Sequence, residues 1–144
     1  MTLVQTRIYR PLTVAELRRL GAEGAVGPEP FTAYAVTTAL RGQHPGADEE
    51  ELEYLAFTAA AAALSGAVRV VAAADVDQEL VTARSDGGPV TGVRVAVAVP
   101  RRAVVSFHVP DPADAPRDEA VAGGMPELSW YDATELDVVV DLLG

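Results

Sequence analysis

Three places in this chain repeat one spacing, a hydrogen-bond acceptor followed three positions later by glutamate: Thr13 with Glu16, Asp48 with Glu51, and Asp132 with Glu135. This is the capping box. The first side chain accepts an amide proton from the opening helical turn, and the glutamate accepts the cap's own N–H. Each box is followed by apolar residues at helical spacing. Leu12 and Leu17 flank the first and can form its hydrophobic staple; Arg18 and Arg19 suit the negative end of the helix dipole, and Gly21 or Gly24 can stop it. Leu52, Leu55, Ala56, Ala59, Ala63 and Leu64 follow the second, up to Ser65 and Gly66. Leu136, Val139, Val140 and Leu143 follow the third, where helical periodicity outweighs the β propensity of the valines. Three fixed helix starts leave only the intervening segments for strands.

Those segments read as strands. Residues 6–10 are led by Ile8 and Tyr9, and residues 32–36 precede Thr37, which can cap a short turn through Leu40 and Arg41. Residues 68–76 are apolar on both faces, as in a central strand. Val93, Val95, Val97 and Val99 alternate with Arg94, Ala96 and Ala98 until Pro100-Arg101-Arg102 interrupts them. Val105, Phe107 and Val109 then alternate with Ser106 and His108. Residues 85–88 read as a turn, and the Pro- and Gly-rich residues 110–124 as a loop. The expected fold is α+β, a single domain over residues 1–144, with a mixed or antiparallel sheet of about five strands and helices mainly on one face. A chain of 144 residues is long enough to build a core without disulfides or a metal.

Composition removes whole classes of chemistry. Twenty-one acidic residues stand against 11 basic ones, a formal charge of -10, which disfavours binding to a phosphate backbone and so to nucleic acid. Cysteine is absent and every basic residue is arginine, which excludes disulfides, thiolate metal sites, lysine Schiff bases and lysine-dependent phosphate loops. Residues 1–15 have no apolar run of signal-peptide length, and Arg69 interrupts the alanine-rich stretch 55–76. A cytoplasmic protein without membrane association is expected.

The segments RIYRPLT, TAYAVTTALR, DEEELEYLAFTAAA, RVVAAADV, VVSFHV and LSWYDATEL, in this order, resemble those of a family of small uncharacterised actinobacterial proteins. The all-arginine, alanine- and valine-rich composition is similar to that of high-GC actinobacterial genomes. The likeness spans nearly the whole chain, which looks shortened between His108 and Trp130 and has Pro110 where an acidic residue is usual. The family brings no assigned activity, so no catalytic residue carries over.

Candidate sites therefore rest on their own chemistry. Ser106 and His108, two apart on a strand, share a face, and Asp111 or Asp132 can be drawn in as a third member. The G-x-S-x-G elbow is lacking, and an exposed polar strand face is the simpler reading. His44 and His108 have no metal-ligand spacing between them. Asp111, Asp114, Asp118 and Glu119 lack the order of a calcium loop and read as a solvated acidic segment. Gly21, Gly24 and Gly27 follow a helix, whereas a nucleotide fingerprint opens one; with Pro28 and Pro30 they shape a turn. Acidic residues 48–53 are explained by a first helical turn, and Arg101-Arg102 by a solvated turn. No catalytic residue, metal ligand or cofactor is expected.

Trp130, the only tryptophan, adjoins Tyr131 and so points to the opposite face of a strand. Burial tendencies make Trp130 the core member and Tyr131 the outward one. Tyr131, Tyr9 and Arg41 are then the candidate binding residues, since aromatic and arginine side chains dominate binding hot spots. A non-catalytic interaction module, with a protein partner or as a homodimer, is the leading functional expectation. A small-molecule sensor with its pocket between the sheet and the long helix is second. A hydrolase or isomerase using His108 and a carboxylate is third.

Overall fold

A computed structural model describes residues 4–27, 30–84, 88–110 and 128–143. Its centre is an antiparallel sheet of seven strands in the order β5-β6-β3-β1-β4-β8-β9. The strands are β1 (Gln5–Thr13), β3 (Phe31–Ala35), β4 (Val68–Asp77), β5 (Val81–Ala83), β6 (Gly92–Val95), β8 (Val104–Pro110) and β9 (Leu128–Asp132). Two further short strands, β2 (Ala25–Val26) and β7 (Val99–Pro100), pair separately. The α+β class is as expected, but seven strands replace the expected five or so. The segment read as one strand over 93–99 is divided between the two sheets. After Val95 the chain leaves the large sheet, with the Ala96 amide donating to Leu80, and Val99 pairs with Val26.

The three capping residues start helices as the spacing requires. Thr13 and Glu16 form a complete capping box at the head of α1 (Val14–Glu23), and Asp48 accepts from the Glu51 amide to open α3 (Glu49–Ala62). Asp132 and Glu135 form a second complete box, opening a single 3-10 turn that leads into α4 (Leu136–Leu143). Thr37 caps the short α2 (Thr38–Gln43). Helix α1 runs past Gly21 and ends at Gly24, whose φ of 78° is the left-handed conformation that terminates helices at low steric cost. Arg18 and Arg19 are consequently mid-helix, away from the dipole's negative end.

The helices cover both faces of the sheet, which corrects the one-sided expectation. On one face α1 and α4 pack on Ile8, Leu12, Val70, Phe107 and Val109 around the larger core. On the other, Ala56 and Ala60 of α3 lie against Tyr9, Val71 and Ala73. Strand β4 explains the arrangement: Val70 and Ala72 face one core, Val71 and Ala73 the other, and all four are buried. Alanine on both α3 and β4 lets helix and sheet approach closely. Helix α3 lies over β3 and β1 rather than over the β8–β9 edge, and that offset positions the site.

Candidate ligand-binding groove

The pairing registers dictate what lines the α3 face. Tyr9 is opposite Ala73, which is opposite Ser106; Val71 is opposite His108, which is opposite Trp130. Two rows of side chains thus run across β1, β4, β8 and β9 beside the helix. Between α3 and the β9 edge they bound a groove of about 550 Å³, walled by Tyr9, Tyr54, Phe57 and Trp130, with Ser106 and His108 among its lining residues. That volume lies within the range of small-molecule pockets.

At the floor, Ser106 Oγ and His108 Nε2 are 2.9 Å apart, and Ser106 is buried. With Nε2 unprotonated the hydroxyl donates to it, leaving the proton on Nδ1. The His108 ring meets Phe57 edge-on at 4.8 Å, and Phe57 meets Tyr9 at 5.7 Å. Burial, and secondarily the Arg7 charge, push the imidazole down to about 4, so it is neutral at pH 7. Burial, reinforced by Glu53, pushes the Tyr9 phenol up to about 12, so its proton stays on. A neutral imidazole and a neutral phenol, that of Tyr9, therefore line the groove together with Tyr54, Phe57 and Trp130.

Three charged residues line the groove: Arg7, Glu50 and Glu53. Arg7 Nε and Nη2 donate to the two oxygens of Asp75 at 2.8 and 2.9 Å, a bidentate pair across β1 and β4. Glu50 and Glu53 belong to α3, and among the described residues neither is within ion-pair distance of a cation. Arg7 and Glu53 also border a second groove of about 360 Å³, which is lined as well by Arg41 and Glu49, paired at 2.8 and 2.9 Å.

The three candidate binding residues are not brought together. Tyr9 lies in the larger groove, Arg41 lines the second, and Tyr131 packs half-buried against the core on the opposite face. The burial expected of Trp130 is overturned: it is 60% exposed. The register decides this. Tyr131 is opposite Phe107, a residue of the larger core, so the neighbouring Trp130 must emerge beside His108. Sequence reading missed Phe57 because α3 was read through the stripe of Leu52, Leu55, Ala56, Ala59, Ala63 and Leu64, although positions 50, 53, 54, 57, 58 and 61 also recur at helical spacing.

Among the described residues the Ser-His-Asp arrangement does not assemble through Asp132. Asp132 is opposite Ser106 in register, but its carboxylate accepts from the Thr134 amide and hydroxyl as a helix cap. Those bonds hold Asp132 below the usual carboxylate range. Asp111, Asp114, Asp118 and Glu119, like residues 85–87, Pro28 and most of the expected loop at 110–124, lie outside the described residues. Among the described residues no three histidine or acidic side chains converge to ligate a metal, and no helix is long and apolar enough to cross a membrane.

Over residues 6–140 the chain matches a family described as a family of unknown function (DUF6912), and it belongs to that family. No curated protein and no solved structure matches it.

Proposed function

We propose that this protein binds a small organic molecule in the groove between α3 and the β8–β9 edge. The observation that carries this reading is a hydrogen-bonded pair, buried Ser106 and half-buried His108, at the floor of a cavity walled by four aromatic side chains. Pockets of this kind gain affinity from the apolar walls and orientation from a few fixed polar groups. A sensor or carrier fits this geometry better than a hydrolase. A base lowered to about 4 accepts protons poorly at pH 7, and no carboxylate among the described residues orients its ring.

The experiment is a ligand-observed NMR screen of aromatic fragments against the wild type and Thr58→Trp, a substitution that fills the groove from α3. Fragments that bind the wild type and not the variant, at matched melting temperature, support the reading. Fragments that bind both equally refute it. A protein partner is a second reading, favoured by the exposure of Trp130 on the edge strand β9. Its check is solution mass: a dimer that Trp130→Ala converts to a monomer supports it, and a wild-type monomer removes the homodimer.

A further inference from the structure

We infer that the occupant of this groove is an organic cation, an ammonium or similar group carried on a compact apolar body. The inference rests on the binding reading above and adds the sign of the ligand's charge.

Two independent features of the groove agree. The first is aromatic: Tyr9, Tyr54, Phe57 and Trp130 contribute π systems to one cavity in a chain whose aromatic content is only 6%. The faces of such rings carry negative electrostatic potential and attract cations, most strongly organic ones that shed their water easily. Tyr54 and Trp130 are 55% and 60% exposed, which leaves much of their area open to a ligand.

The second feature is charge. Arg7 is the one cation among the lining residues; both oxygens of Asp75 pair with it, although its charge still reaches His108 at the floor. With Glu50 and Glu53 included, one guanidinium faces three carboxylates. Negative charge in the first helical turn is explained by the dipole of α3, which accounts for Glu49, Glu50 and Glu51. Glu53 lies beyond that turn, is half-buried, and pairs with no cation among the described residues. A half-buried carboxylate beside aromatic walls is the arrangement an organic cation satisfies and an anion opposes. The floor agrees: a neutral imidazole does not repel a cation, and Ser106 with His108 offers both a donor and an acceptor to a polar group on its body.

The test uses Trp130 as its own reporter, since a ligand seated in the groove alters the emission of the only tryptophan. Benzyltrimethylammonium, benzyl alcohol and phenylacetate share an aromatic ring and differ in charge. Benzyltrimethylammonium should bind tighter than either of the others by about tenfold or more. A Glu50→Gln/Glu53→Gln double variant, folded as judged by its melting temperature, should lose about tenfold of that affinity while its affinity for benzyl alcohol holds within about twofold. Equal affinity for benzyl alcohol and the cation would overturn the charge inference and leave the binding reading standing, as would tighter binding of phenylacetate. Silence from all three probes would overturn the charge inference, and the binding reading would then stand or fall on the fragment screen.

Discussion

Acidification should destabilise this protein through one side chain, His108. The imidazole titrates at 6.5 when the chain is unfolded and near 4 in the folded groove. Between those values the unfolded state binds more protons, so stability is complete above pH 6.5 and falls as the pH drops toward 4. The full difference would correspond to about 3 kcal/mol, of which rather more than half would be lost by pH 5. The ring is only partly shielded from water, and solvent screening brings the expected loss between pH 7 and 5 to about 1 kcal/mol. Arg7 adds to the effect by opposing a second cation nearby. The assay is urea unfolding of the wild type and His108→Gln at pH 7, 6 and 5. Glutamine can still hydrogen-bond Ser106 but does not titrate, and the carboxylates common to both proteins cancel in the difference. Wild type should lose about 1 kcal/mol more than the variant across this interval. A difference that stays constant, or one that changes in the opposite direction, would refute the claim that the groove excludes the imidazolium.

Trp130→Ala should cost no more than about 1 kcal/mol because the side chain is largely exposed, whereas Phe107→Ala in the larger core should cost about 3–5 kcal/mol; urea midpoints compare the two. Asp48→Ala removes the acceptor for the Glu51 amide and should cost about 0.5–2 kcal/mol. An unchanged midpoint would mean that α3 does not depend on that cap. Gly24→Ala forces a side chain into left-handed backbone and should cost about 1–2 kcal/mol, with nothing within 4 Å of the new methyl to compensate; calorimetry measures it directly.

Local chemistry was legible in the sequence; relative placement was not. The capping residues Thr13, Asp48 and Asp132 marked three helix starts because caps act within four consecutive residues. The strands of two or three residues, β2, β5 and β7, are too short to express an alternation. Strand β4 already contained the sign that helices cover both faces, since Val70 to Ala74 are apolar without interruption. The Trp130–Tyr131 inversion arose because a one-residue change in register exchanges the two faces of a strand, and propensity scales do not encode register. Ser106 and His108 were placed on one face correctly, because a period of two suffices for that. Their surroundings, with Tyr9 from β1 and Phe57 from α3, come from long-range pairing that periodicity does not reach.

The central claim is that ligands enter between α3 and the β8–β9 edge. Nitrogen–proton correlation spectra recorded during a titration with benzyltrimethylammonium test it most directly. The account predicts saturable shifts at the Trp130 indole Nε1–H and at the amides of Tyr9, Tyr54, Phe57, Ser106 and His108, with α1 and α4 unmoved. Shifts gathered around Tyr131 and α4, or around Arg41 and Glu49, would contradict it.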